Sequence, residues 1–339
     1  VTGVQTCALP ISLKPVWGIQ YWNNNHGDVF HRWGGAEMYG YIGKHIGFYG
    51  SLRDNHESEW LVRPTYFNQR QGVPVKGAGN KGVDYSEARG GIFASWKWGS
   101  IGIAKDHFIW GNNYHGANIF SGKQPSFGYI QLNLKPVRWF EFHYVHGWLV
   151  SEVVDSARSY WDNGSYREVF HGKWMAANIF TITPIKRLNF SFGNSIVYSD
   201  INVQAAYFVP FLFYKSVDHT LNSTANSTGQ NSQMFFDLSS RNIRHLHLYV
   251  TAFVDEFKMD RLRHSDQHNF ISWKFGGRLS GWPLSNVALT AEYTHTNPGT
   301  YQHNISTTTF ASNSYNMGHY LRANSEEMYL SLSWKPLRG

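Results

Sequence analysis

The chain has 339 residues, and its composition departs from that of an average soluble domain. Charged residues make up only 16% and aromatic residues reach 17%, whereas soluble domains carry roughly 25% charge. The longest apolar run, 205–214, is about half of the roughly 20 residues that a membrane-spanning helix requires. These features exclude a helical membrane protein and leave a membrane β-barrel or an aromatic-rich soluble β protein.

The formal net charge is +7, which raises the question of a nucleic-acid partner. The Lys and Arg residues are scattered, however, and form no run of five or more. The sequence therefore predicts no nucleic-acid partner.

The N-terminal segment 1–11 reads VTGVQTCALPI and resembles the translation of a sequencing-adapter oligonucleotide. It has neither the charged start nor the apolar length of a signal peptide. We expect it to be non-native, with one barrel domain at 12–339 that is truncated at its N-terminus and perhaps at its C-terminus. Cys7, the single cysteine, lies inside this segment, so disulfides and thiol catalysis are not expected.

Alternation of apolar and polar residues with a period of two dominates the rest of the chain and predicts β-strands. Leu188, Phe190 and Phe192, for example, share one face, whereas Asn189 and Ser191 lie on the other. Fourteen strands are predicted, in chain order, at 16–23, 36–44, 46–53, 88–97, 100–104, 126–134, 137–149, 172–183, 186–199, 232–240, 243–255, 268–280, 285–296 and 325–334.

The predicted connections alternate between short links and long loops. The long ones fall at 24–35, 54–87, 105–125, 150–171, 200–231, 256–267 and 297–324. Short turns at one rim and long loops at the other are typical of a bacterial outer-membrane barrel. A soluble sandwich or propeller would have mixed loop lengths. We therefore predict an all-β, antiparallel transmembrane barrel in contact with outer-membrane lipid, and the apolar bulk of 205–214 indicates a plug element in its lumen.

The stretch IGIAKDHFIWGNNYHGANIFSGKQPSFGYIQLNLKPVRWFEFHYVHGWL, residues 101–149, resembles the Wzi family of capsule-assembly outer-membrane proteins in the form found in Bacteroidota. The shared features are Asp-His-x-x-Trp-Gly, a following Gly and Ser-x-x-x-Pro before a strand. Segments 204–222 and 245–257 also look like later parts of that family. The resemblance implies a barrel of about eighteen strands, of which about fourteen are visible here. It also implies a non-catalytic surface lectin that helps to attach or assemble capsular polysaccharide or exopolysaccharide.

Candidate glycan contacts come from the long loops, where aromatic rings that can stack on sugars lie among planar polar groups. They are Asp106, His107, Trp110, Asn112, Tyr114, Asn118, Tyr160 and Trp161. An alternative is that residues 105–125 fold back into the lumen, where their backbone groups need partners. Asp106, His107 and Ser121 could also suggest catalysis, but adjacent residues on an extended segment point to opposite faces, so we expect no enzyme.

Polar residues on the alternating strands are predicted to line a narrow, plugged lumen. They are Glu141, His143, Asp237, His245, His247, Lys274, Arg278 and Glu292. Two histidines on one strand lack the further ligands that zinc takes, so neither a metal nor another cofactor is expected. A porin or transport channel, a barrel enzyme and a scaffold for surface adhesion or gliding stay open as alternatives. We expect a monomer.

Overall fold

The computed structural model describes residues 11–25, 27–58, 64–65, 67–75, 82–200, 202–222, 229–263 and 268–336. Fourteen strands form one antiparallel sheet in which every strand pairs with its neighbours in chain order. They are β1 (Ile11–Asn24), β2 (Gly27–Ile42), β3 (Ile46–Glu57), β4 (Val83–Trp96), β5 (Gly99–Asp106), β6 (Phe127–Val137), β7 (Phe140–Leu149), β10 (Lys173–Ile185), β11 (Leu188–Ser199), β12 (Asn231–Ser240), β13 (Leu246–Glu256), β14 (Phe270–Ser280), β15 (Val287–Thr296) and β18 (Ser325–Trp334).

Shorter elements lie in the long loops. They are the hairpin strands β8 (Tyr160–Asp162) and β9 (Ser165–Arg167), the hairpin strands β16 (Ala311–Ser312) and β17 (Tyr315–Asn316), the helix α1 (Tyr214–Asn222), and 3-10 turns at Ala205–Phe208, Met259–Leu262 and Ser306–Thr308. None of the helices in the described ranges is long and apolar enough to cross a membrane.

The predicted strand plan is confirmed, with one clear difference at the long-loop rim. The loop predicted at 24–35 is mostly strand, because β1 and β2 pair from Asn24↔Gly27 onward. The sequence there is rich in polar residues and glycine, which hides the alternation that the pairing imposes. Of the segment predicted to be non-native, residues 1–10 lie outside the described residues. Ile11 already pairs with Gly40 at the start of β1.

The two faces of the sheet separate by residue parity, as a barrel wall requires. On β7, Val145 and Leu149 belong to the interior core, whereas Phe142 and Tyr144 belong to a second cluster on the outer face. Exposed apolar side chains cover the outer face, as expected for a wall that meets lipid. They include Trp17, Ile19, Ile92, Ile103, Leu238, Val250, Phe275, Leu289, Met328, Leu330 and Leu332.

Tryptophans mark the two borders of the lipid-facing belt. Trp148 pairs with Trp174 near the long-loop rim, and Trp139 lies in the turn before β7, 56% exposed. Nine residues separate Trp139 from Trp148, which corresponds to about 23 Å along the barrel axis for a strand tilted by about 40°. Outer-membrane barrels have an apolar band of about 25 Å. The protein is thus a bacterial outer-membrane β-barrel.

Two long loops fill the interior, so the lumen is plugged as predicted. We call residues 107–126, between β5 and β6, the inner loop, and residues 297–324, between β15 and β18, the cover loop. Phe120 of the first and Phe310 of the second are fully buried, with ring centroids 5.2 Å apart. The inner loop hydrogen-bonds to side chains of β12, β14 and β15. The sheet therefore curls around it.

The prediction that 205–214 is a plug element is wrong. Tyr207 and Tyr214 pack with Phe142, Tyr144 and Tyr198, which lie on the outer face of the wall. Apolar bulk alone does not distinguish a segment that enters the lumen from one that lies against the lipid-facing side.

Candidate functional site

The candidate site is the lumen, and the root of the inner loop fixes its geometry. Asp106 ends β5 and accepts a hydrogen bond from the Tyr49 hydroxyl at 2.6 Å. It also accepts one from the backbone N–H of His107 at 2.9 Å, and the Arg89 guanidinium lies 3.7 Å away. The His107 ring lies 3.2 Å from Glu87. Both residues are therefore held against the inner face of β3 and β4.

The middle of the inner loop is anchored by two carboxylates of the opposite wall. Asp237 accepts hydrogen bonds from the backbone N–H of Asn112 at 2.9 Å and from its side-chain amide. Glu292 accepts from the backbone N–H groups of Tyr114 at 2.6 Å and His115 at 2.9 Å. These charges thus satisfy backbone donors of a buried, irregular segment.

Lys274 completes this anchor. Its ammonium group lies 3.2 Å from Glu292 and donates to the His115 carbonyl at 2.8 Å. The two side chains are 0% and 1% exposed. A buried ion pair that also bonds backbone groups on both sides fixes the height of the loop in the barrel.

The remaining predicted glycan contacts divide into two groups. Trp110 packs against Phe108, Phe120 and Phe235, and the Asn118 amide donates to Ser272 at 2.7 Å, so both belong to the interior. Tyr160 and Trp161 lie on the β8–β9 hairpin and are 56% and 72% exposed. The structure thus does not bring the eight residues together in one place.

Most of the predicted lumen residues face inward. The Tyr114 hydroxyl lies 2.9 Å from the His247 ring, and the Arg278 guanidinium lies over the Tyr114 ring at 4.7 Å. At the short-turn mouth, Glu141 pairs with Lys135 and lies 3.9 Å from the ring of His143.

His245 is the exception, and its prediction is wrong. It has a positive φ of 66° and lies in the exposed turn before β13, with its ring 3.0 Å from the Ser280 carbonyl. The strand begins at Leu246, three residues later than predicted.

Lys123 joins the inner loop to a second inward loop at 67–75. Its side chain is buried and donates to the Asn68 carbonyl, while its own carbonyl accepts from the Gly72 N–H at 2.6 Å. Burial, together with the nearby Arg322 cation, lowers the pKa of Lys123 to about 8. Sequence reasoning missed this residue, because a Lys in a polar loop gives no sign of burial.

At the level of the inner loop, one side of the interior is apolar and the other side is charged. Against β7, β10 and β12 the core is apolar, with Phe120, Val145, Met175 and Phe235 fully buried. Against β2–β5 we define a charged wall as Glu37, Arg53, Glu87, Arg89 and Asp106, whose side chains are 18–39% exposed. Arg53 lies 2.5 Å from Glu37 and is directly opposite Glu87 across β3 and β4. Counted along their strands, these five residues lie five to nine residues from the short turns.

Cavities lie on both sides of the inner loop. On the short-turn side, about 580 Å³ is lined by residues that include Asn112, Asn133, His143, Thr181, Ser191 and Asp237. On the long-loop side, about 320 Å³ is lined by Lys173 and Arg322 together with Ser151, Thr300, Thr309 and Asn316. A further 290 Å³ next to the charged wall is lined by Arg53, Arg70, Glu87 and His31. The lumen therefore has cavities with polar lining residues on both the long-loop side and the short-turn side of the inner loop.

Comparison with known proteins finds no matching family model and no matching curated protein. Solved structures do match. OmpF of Salmonella typhi, in complex with daunomycin, is 8% identical with a TM-score of 0.39, covering 95% of this chain and 97% of that one. OccAB2 of Acinetobacter baumannii is 10% identical with a TM-score of 0.33, covering 84% and 79%. OprD of Pseudomonas aeruginosa is 10% identical with a TM-score of 0.31, covering 89% and 77%.

These findings correct the predicted function. The prediction that the protein attaches or assembles capsular polysaccharide is wrong, because the solved structures that it matches are outer-membrane porins and no family model supports the Wzi resemblance. At this identity the matches bear on the fold alone, so the function has to be argued from the lumen itself. A glycan partner, the monomeric state and the lack of catalysis stay predictions.

Proposed function

We propose that the protein is a narrow outer-membrane channel that passes small polar solutes along the charged wall of its lumen. The observation that carries this is the division of the interior. At the level of the inner loop, the side against β7, β10 and β12 is packed and apolar. On the other side, Arg53, Arg89 and Glu87 keep partly exposed side chains beside the inner loop. A route lined by charges of both signs in a low-dielectric wall favours polar solutes over apolar ones.

The mouth at the long-loop rim also carries charged groups of both signs. Lys173 is 5% exposed and donates to the Thr309 hydroxyl at 3.4 Å. Arg322 and Glu152 line the same 320 Å³ pocket. Charged groups of both signs at an entrance favour polar solutes over apolar ones.

Reconstitution into planar bilayers tests conduction and its route together. Under a KCl gradient the reversal potential reports which ion passes more easily. Replacing Arg53 and Arg89 with Met should shift it toward cation selectivity. Replacing Glu37 and Glu87 with Gln should shift it in the opposite direction.

Arg158→Met is the matched control, because Arg158 also pairs with a carboxylate, Asp155, but lies exposed in the surface loop. It should leave the reversal potential unchanged. A barrel that inserts and conducts no ions overturns the proposal. So does a conducting barrel whose selectivity ignores both double variants, because the ions would then take another route.

The Wzi resemblance of 101–149 is retained as a hypothesis of ancestry alone. The Asp-His-x-x-Trp-Gly residues form the root of the inner loop and part of the apolar core. Their pattern is therefore explained by the contacts that hold this loop in the lumen. A family model built from full-length relatives, matched or unmatched by this chain, would test it.

A further inference from the structure

The segment 202–222, which we call the outer segment, lies against the lipid-facing side of the wall. Three ring contacts trace it along β7 and β11. Tyr207 lies 4.7 Å from Tyr198, Phe208 lies 4.1 Å from His146, and Phe211 lies 4.5 Å from Phe142. The segment therefore runs from the long-loop rim toward the middle of the wall.

The wall beneath it is polar where a barrel wall should be apolar. Strand register sets Leu132, Tyr144, Asn178, Asn194 and Met234 in one row across five strands, all pointing outward. The three central members carry hydrogen-bonding groups. If these groups faced hydrocarbon without partners, the wall would be strongly destabilised at this height.

Backbone groups of the outer segment pair with the hydrogen-bonding side chains of this row. The Asn178 amide donates to the carbonyls of Pro210 at 2.8 Å and Leu212 at 2.9 Å. Asn194 donates to Asn178 at 2.7 Å and accepts from the backbone N–H of Tyr214 at 2.9 Å. The Tyr144 hydroxyl donates to the Tyr207 carbonyl at 2.8 Å. Irregular backbone at membrane depth is tolerated where protein groups pair it in this way.

The tip of the outer segment reaches well below the outer border of the belt. Phe211 contacts Phe142, which lies six residues from Trp148 along β7. Six residues of a tilted strand span about 15 Å along the barrel axis. That is more than half of the apolar band of about 25 Å.

We propose that the outer segment is a membrane-inserted finger whose free face contacts acyl chains of the surrounding lipid. The exposed side chains at its tip are apolar, with Phe208, Val209, Phe211 and Phe213 between 36% and 55% exposed. They continue the belt formed by Phe190, Phe192, Phe236 and Leu238 on β11 and β12. Exposed polar side chains of the segment, including Lys215, Ser216 and His219, follow on α1. The Asn178–Asn194 pair is the clasp that holds the finger at this depth.

Spin-label accessibility in lipid vesicles tests the partner. In a Cys7→Ser background, labels are placed at Phe211→Cys, at Leu238→Cys as the lipid-facing reference and at Trp161→Cys as the aqueous reference. Collision rates with oxygen and with a neutral nickel chelate are then compared. The label at 211 should favour oxygen over nickel in the same direction as the label at 238.

Two other outcomes overturn the proposal. If 211 behaves like 161, the segment stands in water. If 211 is shielded from both reagents while 238 remains open to oxygen, a second copy of the chain covers the finger instead of lipid. The spin-label measurements do not depend on ion conduction, so the finger proposal and the channel proposal can each fail without the other.

A second pair of variants tests the clasp. Asn178→Val with Asn194→Val should raise both the mobility and the nickel accessibility of the label at 211, because the carbonyls of Pro210 and Leu212 lose their donors. Asn133→Val, on the lumen side of β6, is the control and should change neither. Folding is checked by heat-modifiable gel migration, and a folded double variant with an unchanged label overturns the clasp.

Discussion

The anchor of the inner loop gives the sharpest test of the fold. Glu292→Gln removes the negative charge but keeps one carbonyl oxygen for the backbone N–H of Tyr114 or His115. Lys274, 0% exposed and 3.2 Å from Glu292, is then left buried without its partner. Removing one partner of such a pair costs about 3–5 kcal/mol. We expect the free energy of unfolding to fall by that amount.

Neutralising Lys274 as well should recover part of the loss. In Lys274→Met with Glu292→Gln, no unpaired charge is buried. The remaining cost comes from the backbone N–H that loses its acceptor, about 1–3 kcal/mol, and from the His115 carbonyl that loses the Lys274 donor. The double variant should thus be more stable than Glu292→Gln alone. Such a coupling is the signature of a buried pair in a double-mutant cycle.

Urea unfolding in lipid vesicles, followed by tryptophan fluorescence, measures all three variants. Glu326→Gln is the matched control, because Glu326 pairs with His295 at 3.0 Å but is 64% exposed, and exposed pairs contribute at most about 1 kcal/mol. A loss below about 1 kcal/mol for Glu292→Gln, or costs that simply add in the double variant, would refute the reasoning.

Three further predictions concern the inner loop and the wall. Because burial beside Arg322 lowers the pKa of Lys123 from 10.5 to about 8, the unfolded chain binds more protons between those values and the free energy of unfolding should rise with pH there. Lys123→Met should flatten that rise in urea titrations, and an unchanged slope would contradict the burial. Phe120→Ala should cost about 3–5 kcal/mol, whereas Trp161→Ala, 72% exposed, should leave the urea midpoint unmoved. Gly193→Ala should destabilise by about 1–3 kcal/mol, because its Cβ would lie 2.2 Å from a backbone oxygen of β10, and a stable variant would show that the wall can shift.

Local patterning predicted the wall because each strand repeats the same two-residue constraint. It placed Asp237 and Glu292 on the inner face, where the structure has them. It could not identify their partners, since Asn112 and Tyr114 lie 125 and 178 residues away in the chain. It left open whether the loop 105–125 faces outward or folds into the lumen, because a polar loop has the same composition whether it meets water or the carboxylates of the wall.

The position of the outer segment could have been predicted from the sequence of the strands that it covers. On β10 and β11 the lipid-facing positions read Phe180, Asn178, Phe192 and Asn194, so two asparagines interrupt the apolar parity of the wall at the same height. A lipid-facing amide is costly unless another group pairs it. Its presence therefore predicts an element lying over the wall, and the nearby apolar segment 205–214 was the candidate to supply it. From its apolar composition alone, that segment was predicted to lie in the lumen. The two asparagines on the lipid-facing positions of β10 and β11 would have placed it on the outside of the wall.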